Sequence, residues 1–196
     1  MQPLTTAGLL VRGYQEALQR EGLLDAVLGR VPPATAPLLR KPPPATVWCS
    51  GDWLLHVAEA LDELGGVQAC RKVGYRLAEG AAGGVLKPLV STLLTLYRSR
   101  LEAVYGRLSS VTALLQRGPE FVYLARDGRS GVFELTHPEP APRGLYALWE
   151  GALRYLHHAC GVEGGVGPTR ISPSGRSGVI HVSWEPAGAD RDAWLG

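Results

Sequence analysis

The sequence predicts an α+β protein, with a helical N-terminal half packed on an antiparallel sheet of about four to five strands and one helix inserted before a C-terminal hairpin. Three observations predict it. Apolar residues recur at helical spacing through the first half. Beyond Arg107 they pass to alternation and short apolar runs. The turn signals Asp127-Gly128 and Ser172-Pro173-Ser174-Gly175 fall between those runs.

Taken in order, Leu10, Val11, Tyr14, Ala17 and Leu18 form the stripe of a first helix from Thr6 to Arg20, stopped by Gly22 and followed by a short apolar stretch, Leu23 to Leu28. Between Val31 and Val47 lie Pro32, Pro33, Pro37, Pro42, Pro43 and Pro44, which remove donors and fix extended backbone, so a stiff connector is expected there. Ser50 or Asp52 then caps a helix with the stripe Trp53, Val57, Ala60, Leu61 and Leu64, closed by Gly65-Gly66. The next helix, Val67 to Glu79, buries Cys70, Val73 and Leu77, and a longer one runs from Val85 to Tyr105 with Pro88 in its first turn. Candidate strands are Val111 to Gln116, Phe121 to Arg126, Val132 to Thr136, Thr169 to Ser172 and Val179 to Trp184, with the helix Gly144 to Cys160 among them. These elements divide the chain into a helical arm and connector (1–46), an α+β body (47–186) and a tail (187–196).

Composition excludes several function classes. The 196 residues are 45% hydrophobic, enough for a core without disulfides or a structural metal. With 20 basic and 18 acidic residues there is no field to drive binding to nucleic acid or an anionic membrane. No stretch approaches the ~18 apolar residues of a membrane span, and the N-terminus lacks a signal-peptide pattern. Three scattered cysteines, Cys49, Cys70 and Cys160, suit a reducing compartment, so a cytoplasmic protein is expected.

Among groups that carry chemistry, Arg100 stands out. Winding Val85 to Tyr105 at ~100° per residue places it on the apolar face with Leu89, Leu93 and Leu96. A guanidinium there must bend the helix away or meet a carboxylate, backbone carbonyls or an anionic ligand. His157 and Cys160, three apart, share a helix side, but two ligands do not make a zinc site, so no metal site is assigned. No nucleophile elbow or phosphate loop occurs, and no catalytic residue is nominated. The strings Gly128-Arg129-Ser130-Gly131-Val132 and Gly175-Arg176-Ser177-Gly178-Val179 are identical, and read either as a recurring hairpin loop or as two arginine loops that receive one anion.

Several strings carry a resemblance: Trp48 to Trp53, Gln68-Ala69-Cys70-Arg71-Lys72-Val73-Gly74-Tyr75-Arg76, the turn Asp127-Gly128, the helix Leu145 to Cys160 and His181-Val182-Ser183-Trp184. Over about Val47 to Glu185 the chain resembles the ligand-binding superfamily of bacterial 4-vinyl-reductase-type domains, haem nitric-oxide sensors and Golgi transport tethers, and within it an uncharacterised bacterial branch. The resemblance implies a cavity between helices and sheet, and a role in binding small molecules or fatty groups, or in pairing through helices. Haem sensors of this superfamily carry Tyr-x-Ser-x-Arg. Tyr97-Arg98-Ser99-Arg100-Leu101 opens like it but has Leu101 where the arginine belongs, and the C-terminal cysteine pattern of the vinyl-reductase-type domains is missing. No haem or metal ligand is therefore carried over, and no cofactor is assigned.

The resulting expectation is a non-enzymatic, small-molecule-binding or sensory domain with a mostly apolar pocket. Arg100 would anchor a head group, and Tyr97, Trp149 and Tyr75 would line the site. The expected ligand is small and apolar or amphipathic, and a homodimer or a protein partner is expected. The alternative is an interaction or scaffold subunit that dimerises or docks through its helical half. A weaker third reading is a metal-dependent or thiol enzyme using His157 and Cys160.

Overall fold

The computed structural model describes residues 2–83 and 101–185. A short strand β1 (Thr5–Ala7) leads into helix α1 (Gly8–Arg20), which ends where Gly22 takes a positive φ of 67°. Helix α2 (Leu24–Leu28) follows, and α3 (Ala36–Arg40) sits inside the proline-rich stretch expected to be a stiff connector. Pro37 lies in the first turn of α3, where a missing N–H breaks no helical bond, so the prolines there frame a helical turn.

Strand β2 (Trp48–Ser50) precedes α4 (Asp52–Gly83). As the Gly65-Gly66 pair predicts, α4 is two helices across a break, with Gly66 at φ 63° and ψ −163°. Helix α5 (Leu101–Ala113) overturns the expected strand at Val111 to Gln116. Leu108 and Val111, three residues apart on the helix, face one cavity, so helical packing prevails over the β-branched side chains of Val111 and Thr112. The strand β3 that remains is Gln116–Arg117.

The second half is β4 (Glu120–Ala125), β5 (Ser130–Thr136), α6 (Arg143–Cys160), β6 (Gly164–Val166), β7 (Arg170–Ile171) and β8 (Ser177–Trp184). Helix α6 ends at Gly161 in the left-handed conformation, whose N–H returns to the His157 and His158 carbonyls. The larger antiparallel sheet has the order β4-β5-β8-β6, with β7 also on β8, and the smaller has the order β2-β1-β3. The fold is thus α+β, a helical N-terminal half on antiparallel sheets with a helix before the C-terminal strands.

The register settles the repeated glycine-arginine strings. Ser130 pairs with Ser183 and Thr136 with Ser177, so the loops bearing Arg129 and Arg176 lie at opposite ends of β5. Seven residues at ~3.3 Å each separate them, too far for one anion. Gly128 and Gly175 both have positive φ, 72° and 68°, so the repeat is a hairpin-loop solution used twice.

Two features position the interior. Residues 1–46 share the central core: Leu10, Val11, Tyr14 and Leu18 of α1 and Leu39 of α3 pack with Trp53, Leu61, Leu145 and Leu153. Trp53 is edge-on to Tyr14 and donates its indole N–H to Thr6 Oγ1 of β1 at 2.8 Å. Helices α4 and α6 cross in near backbone contact, since a Cβ on Gly74 would lie 2.0 Å from the Leu148 carbonyl oxygen, and one on Gly151 2.0 Å from that of Arg71.

Candidate functional site

Helices α1, α4, α5 and α6 line a partly open cavity of about 300 Å3. Leu9 and Leu10 come from α1, Leu77 from the distal half of α4, Leu108 and Val111 from α5, and Leu148, Trp149 and Ala152 from α6. The same helical periodicity that builds the core stripes turns these side chains to one space. Polar groups on the wall are few: Arg12, Glu16, Thr112, Gln116 and the phenols of Tyr14 and Tyr155. Burial, with Cys70 beside it, pushes the Tyr14 phenol up, so it stays neutral, and burial raises Tyr155 as well.

The sequence placed the pocket between helices and sheet. Among the described residues that seam holds a cluster of rings. Phe121 lies 4.7 Å from Trp149 and 4.9 Å from Phe133, centroid to centroid, and Phe133 is edge-on to Tyr105 at 4.7 Å. Tyr123, Trp184 and His157 surround Tyr105. Three buried polar atoms in the seam, Tyr105 Oη, Tyr123 Oη and His157 Nε2, have no hydrogen-bond partner among the described residues. Burial raises the Tyr105 phenol, with Cys160 and Tyr123 adding to the effect, and lowers His157 to about 4.

The predicted site residues are distributed as follows. Trp149 is on the cavity wall. Tyr75 lies behind the wall, hydrogen-bonded through its hydroxyl to His158 Nδ1 and edge-on to Tyr155. Arg100 and Tyr97 lie outside the described residues. Sequence reasoning passed over Glu150, which is almost fully buried beside the wall. Its carboxylate accepts from Arg71 Nε at 2.6 Å and from the Thr169 backbone N–H and hydroxyl at 2.7 and 2.8 Å. A carboxylate between Trp149 and Gly151 on a helix with a strong apolar stripe was the available signal.

No protein-family model and no curated protein sequence matches the chain. Solved structures do. An Fe(II) unliganded H-NOX protein mutant from K. algicida superposes with a TM-score of 0.68 at 9% identity, over 92% of this chain and 97% of that one. The fold is that of an H-NOX domain. An oxygen-binding H-NOX domain related to soluble guanylate cyclases, in its oxygen complex, gives 0.60 at 12% identity, over 92% and 96% of the two chains. A protein described for its porphyrin distortion and haem redox potential gives 0.61 at 11%, over 90% and 99%. This corrects the expectation of a small apolar or amphipathic ligand and a homodimer or protein partner. The proteins sharing the H-NOX fold are described instead by Fe(II), haem and oxygen. Among the described residues, no helix is long and apolar enough to cross a membrane.

Haem iron in proteins is held by His, Cys, Met or Tyr. The cavity wall offers neither His, Cys nor Met. His56 Nδ1 is bonded to Thr35 Oγ1, His158 to Tyr75, His137 is buried edge-on to Tyr146, His157 lies in the aromatic seam, and His181 is on β8. Cys70 is wedged between α4 and α6 near the Ala58 carbonyl and Gly144, and Cys49 reaches Thr6 of β1. Among the described residues no three His, Cys, Asp or Glu side chains gather as a metal site, which leaves the reading of His157 and Cys160 as a metal pair without a third ligand. The described residues that line the cavity thus do not fit a haem iron held there through nitrogen or sulfur.

Proposed function

We propose that the chain is a small-molecule sensory domain whose ligand occupies the cavity between α1, α4, α5 and α6. The observation that carries this is the cavity itself. Its volume of about 300 Å3 and its mostly apolar wall suit a ligand pocket, which typically occupies about 300–1,000 Å3. Likeness to H-NOX domains, one of them in its oxygen complex, supports the sensory reading. Trp149 is the contact proposed from the wall, Tyr75 supports it through Tyr155, and Arg100 and Tyr97 keep the head-group and lining roles their sequence positions suggest. Three cysteines scattered along the chain, Cys49, Cys70 and Cys160, fit a reducing, cytoplasmic setting.

Native mass spectrometry of the purified full-length chain tests the proposal. A noncovalent adduct is expected on the wild type and not on Ala152→Trp, which fills the cavity with an indole. An adduct retained by a folded Ala152→Trp protein, or none on the wild type, refutes the cavity as the site.

A further inference from the structure

We infer that this chain, unlike the haem proteins whose fold it shares, takes a metal-free molecule in the cavity, held by packing and not by a bond to iron. The inference rests on the cavity being the ligand site, and it starts from where the chain's donors are. Residues 79–136 contain no His, Cys or Met, so α5 and the segment before it supply no imidazole, thiolate or thioether in any conformation. The single methionine is Met1, and residues 186–196 add no donor of these types.

The histidines on α6 are directed elsewhere. His157 belongs to the aromatic seam on the far side of Trp149, and His158 is bonded to Tyr75. Neither histidine lines the cavity, and bringing one there would rotate α6, His157 by ~40° from the wall position of Leu153 and His158 by ~60° from that of Tyr155, against its backbone-close crossing with α4 at Gly74 and Gly151. Burial raises both wall phenols, Tyr14 and Tyr155, which disfavours the phenolate form that an iron would take. What remains on the wall is a leucine-rich surface with Trp149 and a few polar groups, Arg12, Glu16 and Gln116 among them.

Haemin and iron-free protoporphyrin, titrated separately into the purified full-length protein, test the inference by absorbance and fluorescence. Iron per chain is measured on the protein as purified from cells grown with iron and a haem precursor. The expected result is substoichiometric iron, together with either no binding of the two probes or dissociation constants within about threefold of each other. Haemin bound at least tenfold more tightly than protoporphyrin, or one iron per chain, overturns the inference. A nitrogen-ligated spectrum would then point to a histidine, and a phenolate charge-transfer band to a wall tyrosine. Failure of the cavity reading is separate, because it appears as an adduct that survives in Ala152→Trp.

Discussion

Replacing Glu150 by alanine tests how the wall of the cavity is held. Glu150 and Arg71 have 5% and 16% of their side chains exposed, and the carboxylate also holds the Thr169 backbone N–H and hydroxyl. Three contacts to a charged group would sum to about 4–9 kcal/mol if each contributed ~1.5–3. They share one carboxylate and are not additive. Removing one member of a buried pair costs about 3–5 kcal/mol, chiefly because the other is left uncompensated, and that figure is the better guide. For a chain of this length each kcal/mol lowers Tm by ~2–4 °C, so Glu150→Ala should melt ~6–20 °C below the wild type. Glu150→Gln keeps the shape and can still accept from Thr169, and should fall between the two. Thermal melts followed by far-UV circular dichroism at pH 7 read this directly. A loss under about 1 kcal/mol for the alanine variant would refute the view that Glu150 ties α4, α6 and the loop before β7 together.

The remaining predictions concern the crossing, the N-terminal strand and pH. Gly74→Ala drives a methyl into the Leu148 carbonyl and should cost ~1–3 kcal/mol or more by overpacking, read by chemical denaturation. Thr6→Val leaves the buried Trp53 indole N–H unpaired and should cost ~1–3 kcal/mol, with a change in Trp fluorescence. Burial lowers His137 and His157 to about 4, below the 6.5 of a free imidazole. The unfolded chain therefore binds protons first as pH falls, so the stabilisation is complete above pH 6.5 and is lost progressively between pH 6.5 and 4. By ~1.4 kcal/mol per pKa unit each histidine contributes up to about 3 kcal/mol. Tm should drop between pH 7 and 5, and His137→Leu should flatten that slope.

Much of the fold is legible in local pattern. The stripes of α1, α4 and α6, the Gly65-Gly66 break and the turns at Asp127-Gly128 and Ser172 to Gly175 follow from spacing and backbone preference within a few residues. The expected strand at Val111 shows where local reading fails. A short apolar run suggested a strand, yet Leu108 and Val111 are at helical spacing and turn to one cavity, so helical packing selects the conformation. Of the site, Trp149 could be named because a large apolar side chain on a stripe must face an interior. Glu150 next to it was missed, because a carboxylate is buried only where partners from α4 and the loop before β7 reach it, 79 and 19 residues away in sequence.

The sequence by itself determined the helical and antiparallel halves, the near-neutral surface, and the absence of any His or Cys between residues 79 and 136. Each of these is a property of short windows or of composition. Only the tertiary structure decided that β1, β2 and β3 form a sheet, that the two arginine loops stand at opposite ends of β5, and that the open space lies among four helices while a cluster of rings lies in the seam with the sheet. Strands of two or three residues carry no periodic signal, and the partners that create them are 41 to 112 residues apart. A cavity belongs to no residue at all. It is the volume that packed helices leave unfilled, and it exists only once their crossings, held close at Gly74 and Gly151, are in place.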